Sequence, residues 1–446
     1  MDQLTALDAA FFELEDAHVA LHIGSAAVFE GPPPSTEKLQ CRYEHFIAVH
    51  PRYRQVVSRV PFDLRRPAWR SAKVDLGYHI RRTAVPAPGA PEQLEPLIGR
   101  IMSTPLDPDR PLWEAWIVEG LLGGRWALVF KVHHSIVDGV GGMQTLLDLF
   151  DPGDGGPVPA AKPRAPRDVP SPAQELGHLT RRVVDIGRAT LSLPISAARF
   201  IGGIPTGARA LRFAPASSLN GALGRSRMYR TLSVDQPDVD VVRDRFGGTV
   251  NDVVLAMVSR GFHGLLAARR EEPAPGAVRC MVPVNARSAA DTDVGSNRIT
   301  FMVVDLPVEM EDARDAYVAL CGRVSGVKRS SAKRVVQTGL AFADRIPSLV
   351  ASALIAAVRQ VPQRIITTIC TNVPGPRSTQ TLFGRRLVAL YPYVPIADRV
   401  RIAIAVTSYE GRLHFGVTCD RGSVRDADVF VDAMAAGLRE LVKCAG

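Results

Sequence analysis

Residues 131–139 read K-V-H-H-S-I-V-D-G and place two adjacent histidines, His133 and His134, one turn ahead of Asp138 and Gly139. Imidazole is the side chain whose ordinary pKa lies near neutrality, so it can take a proton from an alcohol and hand it on. An apolar run at 126–132 precedes the pair, and a glycine-rich run at 139–142 follows it. If the run is a strand that continues through His134, Trp126, Leu128, Phe130, Val132 and His134 share one face, and Lys131 and His133 share the other. His134 then extends an apolar face, where partial burial disfavours the imidazolium and keeps a lone pair available to a general base. His133 points elsewhere, in a supporting role.

A turn after His134 can bring the Asp138 carboxylate back beneath the site, and Gly139 permits a backbone angle closed to other residues. Neighbouring strand residues diverge and no third ligand stands at zinc spacing, so no metal is expected. There is no G-x-S-x-G elbow to seat a serine nucleophile. The competing interpretation is a satisfied histidine pair at the end of a core strand. It is weakened because H-H-x-x-x-D-G arises by chance in only about one chain in a thousand of this length.

The elements that must position these residues are mixed in type. Residues 22–29 and 126–132 carry strand signals, with helical patterns between them. Residues 151–173 are dense in Pro, Gly and charge, which places a lobe boundary there. The division is 1–150 as an N-terminal lobe, 151–220 as linker and helical connector, and 221–446 as a C-terminal lobe. Residues 249–270 form a helix whose T-V-N-D start resembles a capping box. Residues 401–407 and 412–419 alternate around Glu410-Gly411 as a β-hairpin does.

With 446 residues, 46% of them hydrophobic and 22% charged, the chain is globular and large enough for two cores. The six cysteines include no C-x-x-C pair, and the N-terminus lacks a signal-peptide pattern, which points to a reduced cytoplasmic protein. The apolar stretch 346–358 is too short to span a bilayer. A net charge of +9 suits anionic lipid headgroups or cofactor phosphates. Peripheral contact through 191–204 and 346–358 is one expectation for those segments and burial as helices is the other. No nucleic-acid partner is expected.

The chain resembles the bacterial wax ester synthase/diacylglycerol acyltransferase family, itself related to chloramphenicol acetyltransferases and peptide-synthetase condensation domains. The pieces that carry the likeness occur in family order: L-T-A-L-D-A-A-F-F-E-L-E at 4–15, P-L-W-E at 111–114, H-H-S-I-V-D-G, and T-V-N-D-V-V-L-A at 249–256. V-P-V-N-A-R at 282–287, G-S-N-R-I-T-F-M-V-V-D-L-P at 295–307 and T-N-V-P-G-P at 371–376 complete the series. Together they cover nearly the whole chain.

The resemblance implies two chloramphenicol-acetyltransferase-like lobes of mixed α/β structure, joined by a crossover, with a substrate tunnel between them. It implies that His134 is the base and that the alcohol attacks a coenzyme A thioester directly, without a covalent intermediate. It suggests Arg287 as the partner of Asp138. Asn297 is the nominee for the oxyanion donor, although Gly295-Ser296-Asn297 equally fits a turn. Trp113, Trp116, Asn251 and Asp252 match family motifs as substrate-binding candidates, while core packing and helix capping account for the same residues. Acyl-CoA is the expected co-substrate, with no permanently bound cofactor. Diacylglycerol and long-chain alcohols are the expected acceptors, with peripheral membrane or lipid-droplet contact. The alternatives are a carrier-protein thioester donor, a polyketide or sugar hydroxyl acceptor, or a non-catalytic lipid-binding protein.

Overall fold

A computed structural model describes residues 3–58, 67–137, 139–151, 213–285, 299–329, 364–397 and 399–446. Asp138, Arg287, Asn297, residues 152–212 and the stretch 346–358 lie outside these residues.

Two six-stranded sheets organise the molecule. The first is built mainly from β1 (His22–Phe29), β4 (Ile80–Ala84), β5 (Trp113–Leu121) and β6 (Arg125–His133). Strands β2 (Gln55–Ser58) and β3 (Ala68–Ser71) pair separately beside it. One face of this sheet meets α2 (Thr36–Val49) and α5 (Gly139–Leu147) through a core that includes Phe29, Trp113, Trp126, Leu128, Phe130 and Val132. The other face receives α4 (Pro91–Ser103), with Ala26, Val28, Ala127 and Val129 against Leu94, Leu97, Ile98 and Ile101. Alternation along β1 and β6 is what divides these residues between two cores.

The second sheet has β7 (Arg227–Asp235), β14 (Arg412–Asp420), β13 (Ile402–Tyr409), β10 (Thr368–Val373), β8 (Arg279–Asn285) and β9 (Ile299–Asp305), in that spatial order. Its core lies against α7 (Val250–Ala268) and α9 (Ala427–Ala445). The β13–β14 turn carries positive φ at Glu410 and Gly411, the backbone that a two-residue hairpin demands. The architecture is mixed α and β in two lobes.

Two features join the lobes. After β10 the chain leaves the second sheet, and β11 (Thr381–Leu382) and β12 (Arg385–Tyr393) extend the first, with β12 antiparallel to β1. A bulge opposite Val28/Phe29 inserts one extra residue, so Leu387 and Leu390 reach the same core. This is the crossover. Second, α4 covers β7, the edge strand of the second sheet. Glu95 Oε1 accepts hydrogen bonds from Thr231 N (2.8 Å) and Thr231 Oγ1 (2.7 Å), and Ser103 Oγ accepts one from Arg227 N (2.7 Å). Edge groups that would otherwise be open to another strand are thereby satisfied inside the molecule.

Candidate active site

Strand β6 delivers the histidines, but it ends at His133, one residue short of the alternation drawn through His134. The His134 N–H still donates to Leu21 O on β1's approach at 3.0 Å, after which the chain turns and Ile136 N donates to His133 O at 3.0 Å. Local bonding explains the early stop: the Ser135 backbone N–H reaches back to His133 Nδ1 at 3.1 Å and its hydroxyl lies 2.7 Å from the same atom. His134 therefore does not join the Trp126–Val132 core. It is half-buried, and its ring stacks on Phe11 of α1 (Ala6–Leu14) with centroids 4.4 Å apart.

A backbone N–H can only donate, so His133 Nδ1 is an acceptor and its ring proton sits on Nε2. That nitrogen lies 3.3 Å from Glu15 Oε2, within ion-pair range though off the line of a hydrogen bond. Phe12 stacks on the His133 ring at 4.3 Å. The first helix is held over this turn by a small apolar cluster of Leu4, Ala9, Phe12, Trp69 and Leu112. Its start is set by Thr5, whose side chain accepts from Asp8 N.

Lys131 and His133 occupy the face of β6 that lies beneath the C-terminal end of α4. Lys131 Nζ donates to Ile101 O (3.2 Å) and Thr104 O (2.5 Å), and it is 3.5 Å from Glu114 Oε2. His22, opposite His133 in the β1–β6 register, donates from Nε2 to Met102 O at 2.8 Å. Three carbonyls at the negative end of a helix are thus closed by buried donors. Burial pushes the Lys131 ammonium down to about 8, with Glu114 opposing that shift. Burial, reinforced by Lys131, also holds His22 well below the ordinary histidine value.

The remaining sequence candidates fall into four groups. Trp113 is fully enclosed, stacked on Tyr43 and His79, and donates from Nε1 to Tyr53 O at 2.8 Å, so it reaches the site only through packing. Trp116 is half-buried on the Lys131 side and donates to Glu114 Oε2 at 3.0 Å. Thr249 and Asp252 form a reciprocal capping box at the start of α7, with Asn251 in its first turn. Gly139 opens α5 and owes its place to the start of a helix; its backbone is not in the left-handed region. A Cβ there would lie 3.5 Å from Cγ2 of Val373, at the tip of β10, so the histidine segment and the second lobe meet at this point.

Glu15, Phe11, Phe12, Ser135, His22 and the Lys131–Glu114 pair had no role assigned from sequence. The first three stand within the L-T-A-L-D-A-A-F-F-E-L-E piece, which was the available signal. Among the described residues no group of His, Cys, Asp or Glu is arranged to hold a metal ion, and no helix is long and apolar enough to cross a membrane.

The wax ester synthase/diacylglycerol acyltransferase catalytic domain matches residues 4–254, and the WS/DGAT C-terminal domain matches residues 295–442. The chain belongs to the wax ester synthase/diacylglycerol acyltransferase family. A relative in Mycobacterium tuberculosis (strain ATCC 25618 / H37Rv), named "Probable diacyglycerol O-acyltransferase tgs1", is 33% identical over 445 residues, covering 99% of this chain and 95% of that protein. The wax ester synthase/diacylglycerol acyltransferase from Marinobacter aquaeolei VT8 shares the fold with a TM-score of 0.71 at 24% identity, covering all of both chains. The starter condensation domain of rhizomide synthetase RzmA, solved with C8-CoA, shares it with a TM-score of 0.57 at 12% identity, over 100% of this chain and 94% of that one. The wax ester synthase/diacylglycerol acyltransferase model thus spans the histidine turn, the first helix and the start of α7 in one match.

Proposed function

We propose that this member of the family is an acyl-CoA-dependent O-acyltransferase that moves a long-chain acyl group onto diacylglycerol, and also onto long-chain alcohols, in a tunnel between the lobes. One observation carries the proposal: in a chain of this family, a half-buried His134 follows the end of β6, and Gly139, five residues on, meets the second lobe at Val373.

His134 takes the proton of the acceptor hydroxyl as its oxygen attacks the thioester carbonyl carbon. The C–S bond then breaks, and the imidazolium returns the proton to the departing coenzyme A thiolate. In this reading Asp138 is a structural residue with Arg287 as its partner, and Asn297 is the oxyanion donor, a contribution of a few kcal/mol in a dry site. Diacylglycerol and fatty alcohol acceptors overlap because a methylene in an apolar pocket discriminates by only about 1–3 kcal/mol. Acyl-CoA is a co-substrate, and no cofactor stays bound. The enzyme works in the cytoplasm, where its net charge of +9 favours peripheral contact with anionic lipid.

The test incubates wild type and His134→Ala with palmitoyl-CoA and either dioleoylglycerol or hexadecanol, following thiol release and ester together. A fall in kcat of about 10²- to 10⁴-fold in the variant supports the base. Lipid binding without turnover by wild type would instead fit a non-catalytic protein. Turnover only with a carrier-protein thioester would replace the donor.

A further inference from the structure

The first helix is tied to both histidines by a single carboxylate. Glu15 follows α1 as its C-cap in extended backbone, and its two oxygens serve different partners. Oε1 accepts from Leu21 N at 2.6 Å, and Oε2 faces His133 Nε2 at 3.3 Å. Leu21 in turn accepts the His134 N–H at its own carbonyl. The chain doubles back between Glu15 and Leu21 because Asp16 Oδ1 accepts from His18 N (2.7 Å) and Val19 N (3.0 Å). One side chain therefore faces the protonated ring nitrogen of His133 and, through one residue, fixes the backbone of His134.

We propose that Glu15 is a positioning residue for the transfer reaction. It touches neither substrate nor reacting atoms; it holds the histidine pair so that the His134 ring is presented in one orientation, with Phe11 and Phe12 closing the other side. This rests on His134 being the base. A carboxylate serves here because both partners are N–H donors, and a carboxylate only accepts.

Glu15→Gln separates positioning from mere helix closure. The amide oxygen can keep the Leu21 bond, but the NH₂ then meets the His133 N–H, and relief requires the ring to move or its proton to shift to Nδ1, against the Ser135 N–H. Positioning predicts that kcat falls about 100-fold, as misplacement of a reacting group by about 1 Å does, while KM for palmitoyl-CoA and dioleoylglycerol stays within a factor of about three. Glu15→Asp, which keeps the carboxylate, recovers part of that loss. Nitrogen-15 NMR of histidine-labelled protein reads the His133 ring directly: Nε2–H in wild type, altered in Glu15→Gln.

An unchanged kcat in Glu15→Gln, or an unchanged His133 ring signal, overturns the proposal, as does a loss matched by a collapse of the melting temperature. If wild type turns over neither alcohol, the acyl-CoA-dependent reading fails on its own. The ring-nitrogen spectra then still decide whether Glu15 governs His133.

Discussion

Phe11 lies on the imidazole of His134 with ring centroids 4.4 Å apart and 30° between planes, and its neighbour Phe12 lies on His133 at 4.3 Å and 22°. Consecutive aromatics of one helix thus cover consecutive histidines of one turn. The two phenylalanines differ in burial: Phe12 is enclosed in the Leu4–Trp69–Leu112 cluster, whereas Phe11 is half-buried. Their substitutions should therefore separate. Phe12→Ala is expected to destabilise the protein by about 3–5 kcal/mol, the usual cost of emptying an enclosed aromatic site. Phe11→Ala should cost clearly less stability and show its main effect in kcat. Urea midpoints and steady-state rates on the two variants check this, and a larger stability loss from Phe11→Ala would contradict the assignment.

The ammonium of Lys131 is strained by burial, and that strain has a pH signature. Its folded value of about 8 lies below the ordinary 10.5, so between those limits the unfolded chain binds more protons than the folded one. Stability from this group therefore rises as pH rises from 8 to 10.5. Relative to Lys131→Met, which has no proton to lose, wild type should gain stability across that window, by no more than about 3 kcal/mol. Parallel urea titrations at pH 7.5 and 10 measure it. Midpoints that move together would show that the ammonium is not strained.

Glu95 joins the lobes by accepting two hydrogen bonds from Thr231, while Arg230 Nε lies 3.6 Å from Glu95 Oε2 and 2.5 Å from Asp428 Oδ1. Burial raises its carboxyl above the ordinary value, only partly offset by the Thr231 bonds. The folded state therefore holds the proton more tightly than the unfolded one, and stability falls as pH rises through the window just above 4.5. Glu95→Gln keeps the acceptor without the buried charge, so its stability relative to wild type should be better at pH 7 than at pH 5. Glu95→Ala leaves the Thr231 N–H without this acceptor and should cost about 1–3 kcal/mol at either pH. Thermal melts of the three proteins at both pH values decide the matter; an alanine variant as stable as the glutamine variant would remove Glu95 from the lobe contact.

Much of the framework was legible in short segments. Strand density at 22–29 and 126–132 corresponds to β1 and β6, and the T-V-N-D start at 249 is a capping box in the structure. Capping and strand alternation act over a few residues, so they leave a local trace. The end of β6 was not legible, because the alternation runs past His133 without a break. What stops the strand is the bond from Ser135 back to His133, and a serine in that position does not by itself announce it.

The sequence by itself determined the family, the mixed α/β class and the histidine pair, because those rest on residue identities in fixed order along the chain. Tertiary structure alone decided what surrounds the pair. Glu15 meets His133, Lys131 closes the end of α4, Glu95 caps the edge of β7, and β12 crosses to pair with β1. Each of these contacts joins residues far apart in the chain, and all but the Glu15–His133 approach, which is within ion-pair range only, satisfy a donor or acceptor that folding would otherwise bury alone. Periodicity shows that such a group must find a partner; only the packing of one element on another selects which partner it finds.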